Sequence, residues 1–205
     1  MTTFYCVRHG KTEYNQRRFF QGGLVDSPLL PEGQEGARKA GKFLREIPFS
    51  EVLVSPQGRA QDTARLILEQ HTRSLDITTV DDLREMEFGI WEGKPEKEFS
   101  HLEQFKNLVH FPHKYDPAEY QGESFYQLIE RAKTVFENYA TSHPDDDILI
   151  VSHGLTLQIM LNTLTGVPLS DIRKGKPLKN TSVSTILSNG SGFVLDIWND
   201  TSFID

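Results

Sequence analysis

The sequence predicts an α/β fold, a three-layer α/β/α sandwich whose mostly parallel sheet is closed by an antiparallel edge. Short runs of β-branched and aromatic residues alternate with stretches of helical apolar spacing, the pattern of parallel strands joined by helical crossovers. Three of these strands end in residues suited to an anion, and sheets of this kind hold ligands beyond the carboxyl ends of their strands. The C-terminal stretch departs from the alternation: two strand-like runs flank an Asn-Gly turn, as in a hairpin.

Phe4 to Val7 reads as the first buried strand and runs straight into Arg8-His9-Gly10. Glu32 to Ile47 follows as a helix, with Ala37, Ala40, Phe43, Leu44 and Ile47 on one face and Pro48 as its stop. Glu51 to Val54 is a second strand, ending at Ser55-Pro56. Gln57 to Gln70 is a helix with an apolar stripe of Ala60, Ala64, Ile67 and Leu68, and Leu75 to Val80 reads as a third strand. Helical spacing returns from Ser124 to Tyr139. Asp147 to Val151 is a strand ending at Ser152-His153-Gly154, and Leu155 to Leu164 a helix stopped by Gly166 and Pro168. Ser182 to Leu187 and Gly192 to Trp198 form the hairpin. Residues 95–122, rich in aromatics, His and Pro, fit the alternation poorly. They are expected to be an insertion covering the active site of a single domain spanning 1–205.

Composition excludes several function classes. The chain has 205 residues, with 29 acidic side chains against 22 basic ones and a net charge of −7. Such a balance argues against a nucleic-acid partner, because phosphate backbones are held by an excess of Lys and Arg. The basic residues are uneven: residues 1–60 hold nine Lys/Arg against six Asp/Glu, and the rest is strongly acidic. Cys6 is the single cysteine, so no internal disulfide forms, and it reads as a small core residue. No apolar run approaches the roughly 18 residues that span a bilayer, and the first residues do not resemble a secretion signal. The expectation is a cytoplasmic protein without a membrane partner. Its oligomeric state is left open, a homodimer included.

The chemistry concentrates at the strand ends. Arg8 and His9, adjacent at a buried strand end, call for an anionic partner, and Gly10 lets the backbone turn and a ligand come close. Ser152-His153-Gly154 repeats the arrangement late in the chain. Arg59, in the first turn after Ser55-Pro56, offers a planar guanidinium for phosphate oxygens. Together with Asn15 these groups suit a phosphate dianion. For the acid there are two candidates, Glu85 and Glu87, which would share a side of an extended segment. Thr12 reads as a donor to phosphate or a cap of the following turn, with the cap favoured, and Gln21 as either a substrate contact or a loop-shaping residue. His101, His110 and His113 lack metal-ligand spacing.

Arg8-His9-Gly10-Lys11-Thr12-Glu13-Tyr14-Asn15 resembles the signature of the histidine phosphatase superfamily, in the branch of cofactor-dependent phosphoglycerate mutases and their phosphatase relatives. Gln21-Gly22, the stretch Asp26-Ser27-Pro28-Leu29 with Gly33, Ser55 to Ala64, Leu83 to Gly93 and Val151 to Gly154 resemble its further motifs in order. The resemblance implies a phosphoglycerate mutase-like fold in which His9 attacks phosphorus and becomes phosphohistidine. It implies that Arg8, Arg59 and His153 hold phosphate oxygens with Asn15, that Gln21 and Gly22 border the substrate, and that Glu85 protonates the leaving alkoxide. The family's spacing favours Glu85 over Glu87. No metal or other cofactor is implied. The expected function is a phosphomonoesterase acting on a small phosphorylated metabolite. A phosphoglycerate mutase is the first alternative and a non-catalytic phospho-ligand binding module the second. The short chain favours hydrolysis, since mutases of the family carry longer insertions. Phe105, Phe111, Tyr115 and Tyr120 are the expected selectors of the leaving group.

Overall fold

The computed structural model describes residues 1–204, and within it one six-stranded sheet runs in the order β3-β2-β4-β1-β5-β6. β1 (Thr2–Arg8), β2 (Glu51–Val54), β3 (Thr78–Thr79) and β4 (Asp147–Ser152) are parallel, and β5 (Val183–Ser188) and β6 (Phe193–Asp200) form the antiparallel edge. The α-helices are α1 (Glu13–Arg17), α2 (Pro31–Leu44), α3 (Gly58–Leu68), α4 (Glu103–His110), α5 (Phe125–Ser142) and α6 (Gly154–Leu164).

The central strands are apolar on both faces, and alternation divides their side chains between two cores. Val7, Val52, Val54, Leu149 and Val151 pack with Ala40 and Leu44 of α2 and Ala60, Ala64 and Ile67 of α3. Phe4, Cys6, Leu53, Ile148 and Ile150 pack on the other side with Leu128 and Phe136 of α5 and Leu157 and Met160 of α6. A sheet between two helical layers is the sandwich expected, and it gathers three carboxyl ends at one edge. The backbone closes that edge, His9 N donating to the Ser152 carbonyl at 2.9 Å and Ser55 N to the Val151 carbonyl at 3.0 Å.

Three elements differ from expectation. The third strand shrinks to Thr78–Thr79, which pairs with Leu53 and Val54 of β2; Leu75 and Ile77 still pack on the α2–α3 core. α2 ends at Leu44, before Pro48 could stop it. The short α1 was not expected as a helix, although Thr12 does cap it: the hydroxyl accepts from Asn15 N while Asn15 returns its side-chain oxygen to Thr12 N.

Candidate active site

A cavity of about 320 Å³ opens at the shared carboxyl edge. Arg8, His9, Asn15, Gln21 and Glu85 supply its polar wall. His9 is buried, and its Nδ1 lies 2.8 Å from the Gly10 carbonyl. Donation to that carbonyl fixes the proton on Nδ1 and leaves Nε2 with its lone pair. Burial above all, then the charges of Arg59 and Arg8, hold the His9 pKa well below 6.5. The ring is therefore neutral at physiological pH. Asn180 secures it from behind, donating to the His9 carbonyl at 3.0 Å and to Asn15 Oδ1 at 3.1 Å. With that oxygen occupied, the amide nitrogen of Asn15 remains to serve the cavity.

Arg8 reaches the cavity from the end of β1. Its Nη1 donates to the Leu178 carbonyl at 2.6 Å, and its Nε is buried without a hydrogen-bond partner among the described residues. Gly154, first residue of α6, allows this placement, since a Cβ there would stand 2.9 Å from Nε.

Glu85 faces the same cavity, whereas Glu87 turns away to pair with Arg84 at 3.1 Å. The expectation that the two share a side fails because Arg84–Phe88 belongs to no strand and has no pleat. The Glu85 carboxylate accepts from Met86 N, Thr156 N and Thr156 Oγ1 at one oxygen and from Leu155 N at the other. Two of those donors are amides of the first turn of α6, whose N-terminal dipole points at the carboxylate. The backbone of the Glu85 segment is held by Arg131 of α5. Its guanidinium donates to the carbonyls of Asp82 at 2.6 Å, Arg84 at 3.0 Å and Glu85 at 3.4 Å.

Arg59 and His153 form a second layer. His153 is fully buried, its ring centroid 5.2 Å from that of His9. Arg59 Nε donates to His153 Nδ1 at 3.2 Å, so the ring proton lies on Nε2 and donates to Ser55 Oγ at 2.6 Å. Burial first, then Arg59, His9 and Arg8, keep His153 uncharged. The remaining Arg59 donors reach the carbonyls of Gln21, Gly22 and Val25 and the carboxylate of Asp26 at 2.9 Å. The structure thus brings Arg59 and His153 to the site with every donor engaged by protein.

The chain aligns with the model of the histidine phosphatase superfamily (branch 1) over residues 4–201. It belongs to that superfamily. Among relatives of this histidine phosphatase, the probable phosphoglycerate mutase GpmB of Enterobacter sp. (strain 638) is 30% identical over 210 residues, covering 100% of this chain and 96% of the relative. YhfR of Bacillus stearothermophilus superposes with a TM-score of 0.93 at 31% identity, each chain covered fully. A putative alpha-ribazole-5'-P phosphatase from Escherichia coli K-12 superposes at 0.85 with 26% identity, covering 97% of this chain and 96% of that one.

Other expected contacts are placed differently in this histidine phosphatase. Gln21 borders the cavity, but its oxygen accepts from Thr12 Oγ1 and its nitrogen donates to Asp26, so it shapes the loop. Gly22 is absent from the wall. It passes where a Cβ would stand 2.4 Å from the Glu92 carboxylate and the Met86 carbonyl, and its own carbonyl accepts from Arg59. Gly10 owes its smallness to the backbone of Gly33, which a Cβ would meet at 2.6 Å, and not to the cavity. Of the four aromatics expected to select substrate, Phe105 lines the cavity. Phe111 is 48% exposed, and Tyr115 and Tyr120 pack against Trp91. Three groups were missed by sequence reasoning: Asn180 and Arg131 as supports, and Arg173, which lines the cavity from the loop after α6. Arg131 had a signal, as the one cation at the buried edge of α5's stripe. Arg173 had none, sitting in a basic, Gly-containing stretch that reads as solvated.

No helix is long and apolar enough to cross a membrane, among the described residues.

Proposed function

We propose that this histidine phosphatase is a metal-independent phosphomonoesterase acting on a small phosphorylated metabolite in the cytoplasm. The observation that carries the proposal is the pairing of two groups across one cavity: a neutral His9 with its lone pair on Nε2, and Glu85. Nε2 of His9 attacks phosphorus while the bond to the alcohol oxygen breaks, and that oxygen takes a proton from Glu85. Phospho-His9 results. The Glu85 carboxylate then takes a proton from water, whose oxygen attacks phosphorus, releasing phosphate and restoring His9. Arg8 and Asn15 receive the phosphoryl oxygens directly. Arg59 supplies positive potential behind His9; it and the neutral His153 join the oxygens by exchanging partners in loop 21–26 and Ser55. Residues 95–122 cover the site within one domain.

Phosphate release from a chromogenic phosphomonoester, with chelator present, tests the proposal; vanadate should inhibit it and His9→Ala should abolish it. Wild-type turnover by His9→Ala, or loss of activity with chelator, would refute the mechanism or its metal independence respectively. A second reading, a phosphoglycerate mutase, is favoured by the name of the GpmB relative. Measuring phosphate release beside interconversion of phosphoglycerates separates the two, hydrolysis outpacing isomerisation under the first.

A further inference from the structure

Two guanidinium groups border the cavity with a buried Nε that meets no hydrogen-bond partner among the described residues, Arg8 and Arg173. The phosphoryl group of the proposed reaction answers to Arg8. It leaves Arg173 unexplained. Arg59 and Arg131 are paired with Asp26 and Glu123, while Arg173 pairs with no carboxylate among the described residues. A guanidinium with a buried, unpartnered Nε is costly unless an anion meets it.

The position of Arg173 is also set in advance. The preceding Ile172 is buried and its carbonyl accepts from Asn162 at 2.8 Å; further along, the Leu178 carbonyl is held by Arg8 at 2.6 Å. Arg173 lines the same cavity as Glu85, the proposed proton donor to the departing alcohol, and as Phe105, Leu108 and Val109 of α4.

We infer that Arg173 is a specificity-determining residue whose guanidinium receives a carboxylate on the alcohol part of the phosphomonoester. The inference rests on the phosphomonoesterase reading above. Arg173 carries one positive charge and matches a single carboxylate; a second phosphate dianion would be left in excess, the more so with Glu96 also lining the cavity. The carbon skeleton between the two anions is short, because a cavity of about 320 Å³ lies at the small end of ligand sites, roughly 300–1,000 Å³. Phe105, Leu108 and Val109 of α4 give that skeleton an apolar wall.

The test uses two substrates that differ in one group, 3-phosphoglycerate and glycerol 3-phosphate, with the full-length enzyme and its Arg173→Met variant. The ratio of kcat/KM for the carboxylate over the neutral alcohol should exceed about ten in the wild type. The substitution should reduce that ratio about tenfold to hundredfold, mainly through KM, as expected for a lost charged hydrogen bond. Arg173→Lys should retain part of it. A ratio unmoved by the substitution, with both substrates slowed alike or neither slowed, overturns the inference while leaving the phosphatase intact. Calorimetric titration of the same pair onto both proteins separates the remaining failure. A carboxylate preference in binding that Arg173→Met removes, without phosphate release, sustains the Arg173 site and refutes hydrolysis. Equal binding of the pair by the wild type overturns the Arg173 site.

Discussion

Arg131→Met should separate stability from catalysis in a way that a purely structural ion pair would not. Arg131 and Glu123 form a bidentate pair at 2.6 and 2.7 Å, with side chains 9% and 7% exposed. Removing the arginine leaves a buried carboxylate and orphans the Asp82 carbonyl. Breaking a buried pair on one side costs about 3–5 kcal/mol. For a chain of this length that corresponds to a fall in Tm of roughly 6–20 °C. Adding Glu123→Gln discharges the stranded carboxylate while keeping an acceptor for Glu87 N, and should recover about 2 kcal/mol or more. Activity should not recover with it. The guanidinium contacts to the Glu85 segment are still missing, and a displacement near 1 Å at the proton donor costs on the order of a hundredfold in rate. Urea unfolding and phosphate release on the same preparations give both quantities. A double variant that regains stability and also turns over at wild-type rate would show that Arg131 does not position Glu85. A single variant destabilised by less than about 1 kcal/mol would show that the pair is not a buried one.

Four further outcomes follow from the same geometry. Glu85→Gln should lower kcat about a hundredfold or more, while Glu87→Gln, which loses a half-buried pair with Arg84 outside the cavity, should stay within about threefold; the reverse ranking in a phosphate-release assay rejects Glu85 as the acid. Gly154→Ala should leave Tm nearly unchanged, because Ala suits a helix, yet reduce kcat/KM at least about tenfold by pressing a Cβ onto Arg8 Nε; parallel loss of both would point to a folding defect. His9 and His153 have pKa values depressed by burial, so below pH 6.5 the unfolded chain binds more protons than the folded one, and stability falls on acidification by about 1.4 kcal/mol per pH unit per histidine until the depressed values are reached. Urea midpoints from pH 7.5 to 5.5 measure that slope, His153→Gln should lessen it, and a slope indifferent to that substitution rejects the assignment. Asn180→Ala should lower kcat more than it raises KM, since it removes the donor to the His9 carbonyl; steady-state kinetics with an effect confined to KM would place Asn180 in binding alone.

The sheet and the polar strand ends were legible because both depend on local pattern. The runs Phe4–Val7, Glu51–Val54 and Asp147–Val151 are short and apolar on alternate sides, and each is followed at once by its polar terminus. Parallel pairing then brings Arg8, Ser55 and Ser152 to one edge without further information. What the sequence hid depends on tertiary position. In the covering segment, Phe105, Leu108 and Val109 follow helical spacing and line the cavity; aromatic character alone singles out Phe105 equally with Phe111, Tyr115 and Tyr120, and does not single out Leu108 and Val109. Glu85 and Glu87 could not be told apart by period, since their segment is shaped by side-chain contacts and not by a strand ladder: Glu92 accepts from Phe88 N, and Glu123, distant in sequence, from Glu87 N. Arg173 lies between Asp171 and Lys174, a stretch with the composition of a solvated loop, and only the packing of Ile172 and Leu178 turns it inward.

Arg59 adds a physical point that its residue type could not. A guanidinium expected to grip phosphate has its donors spent on His153, on the carbonyls of Gln21, Gly22 and Val25, and on Asp26. Its positive charge is nonetheless held rigidly behind His9, where it adds to burial in keeping the imidazole neutral. Charge fixed in this way acts on the phosphoryl group in the transition state without having to reorient, the condition under which buried dipoles and charges stabilise most. Asp26, 37% exposed, is the weakest tie of the set, so an arriving dianion competes for Arg59 chiefly against a partly solvated carboxylate. Asp26→Asn should then tighten phosphate binding by loosening that competitor, and also reduce turnover by letting Arg59 move. A fall in both the inhibition constant for inorganic phosphate and kcat is the expected pair. A weaker phosphate complex would instead make Asp26 a necessary support of Arg59 and remove competition from the account.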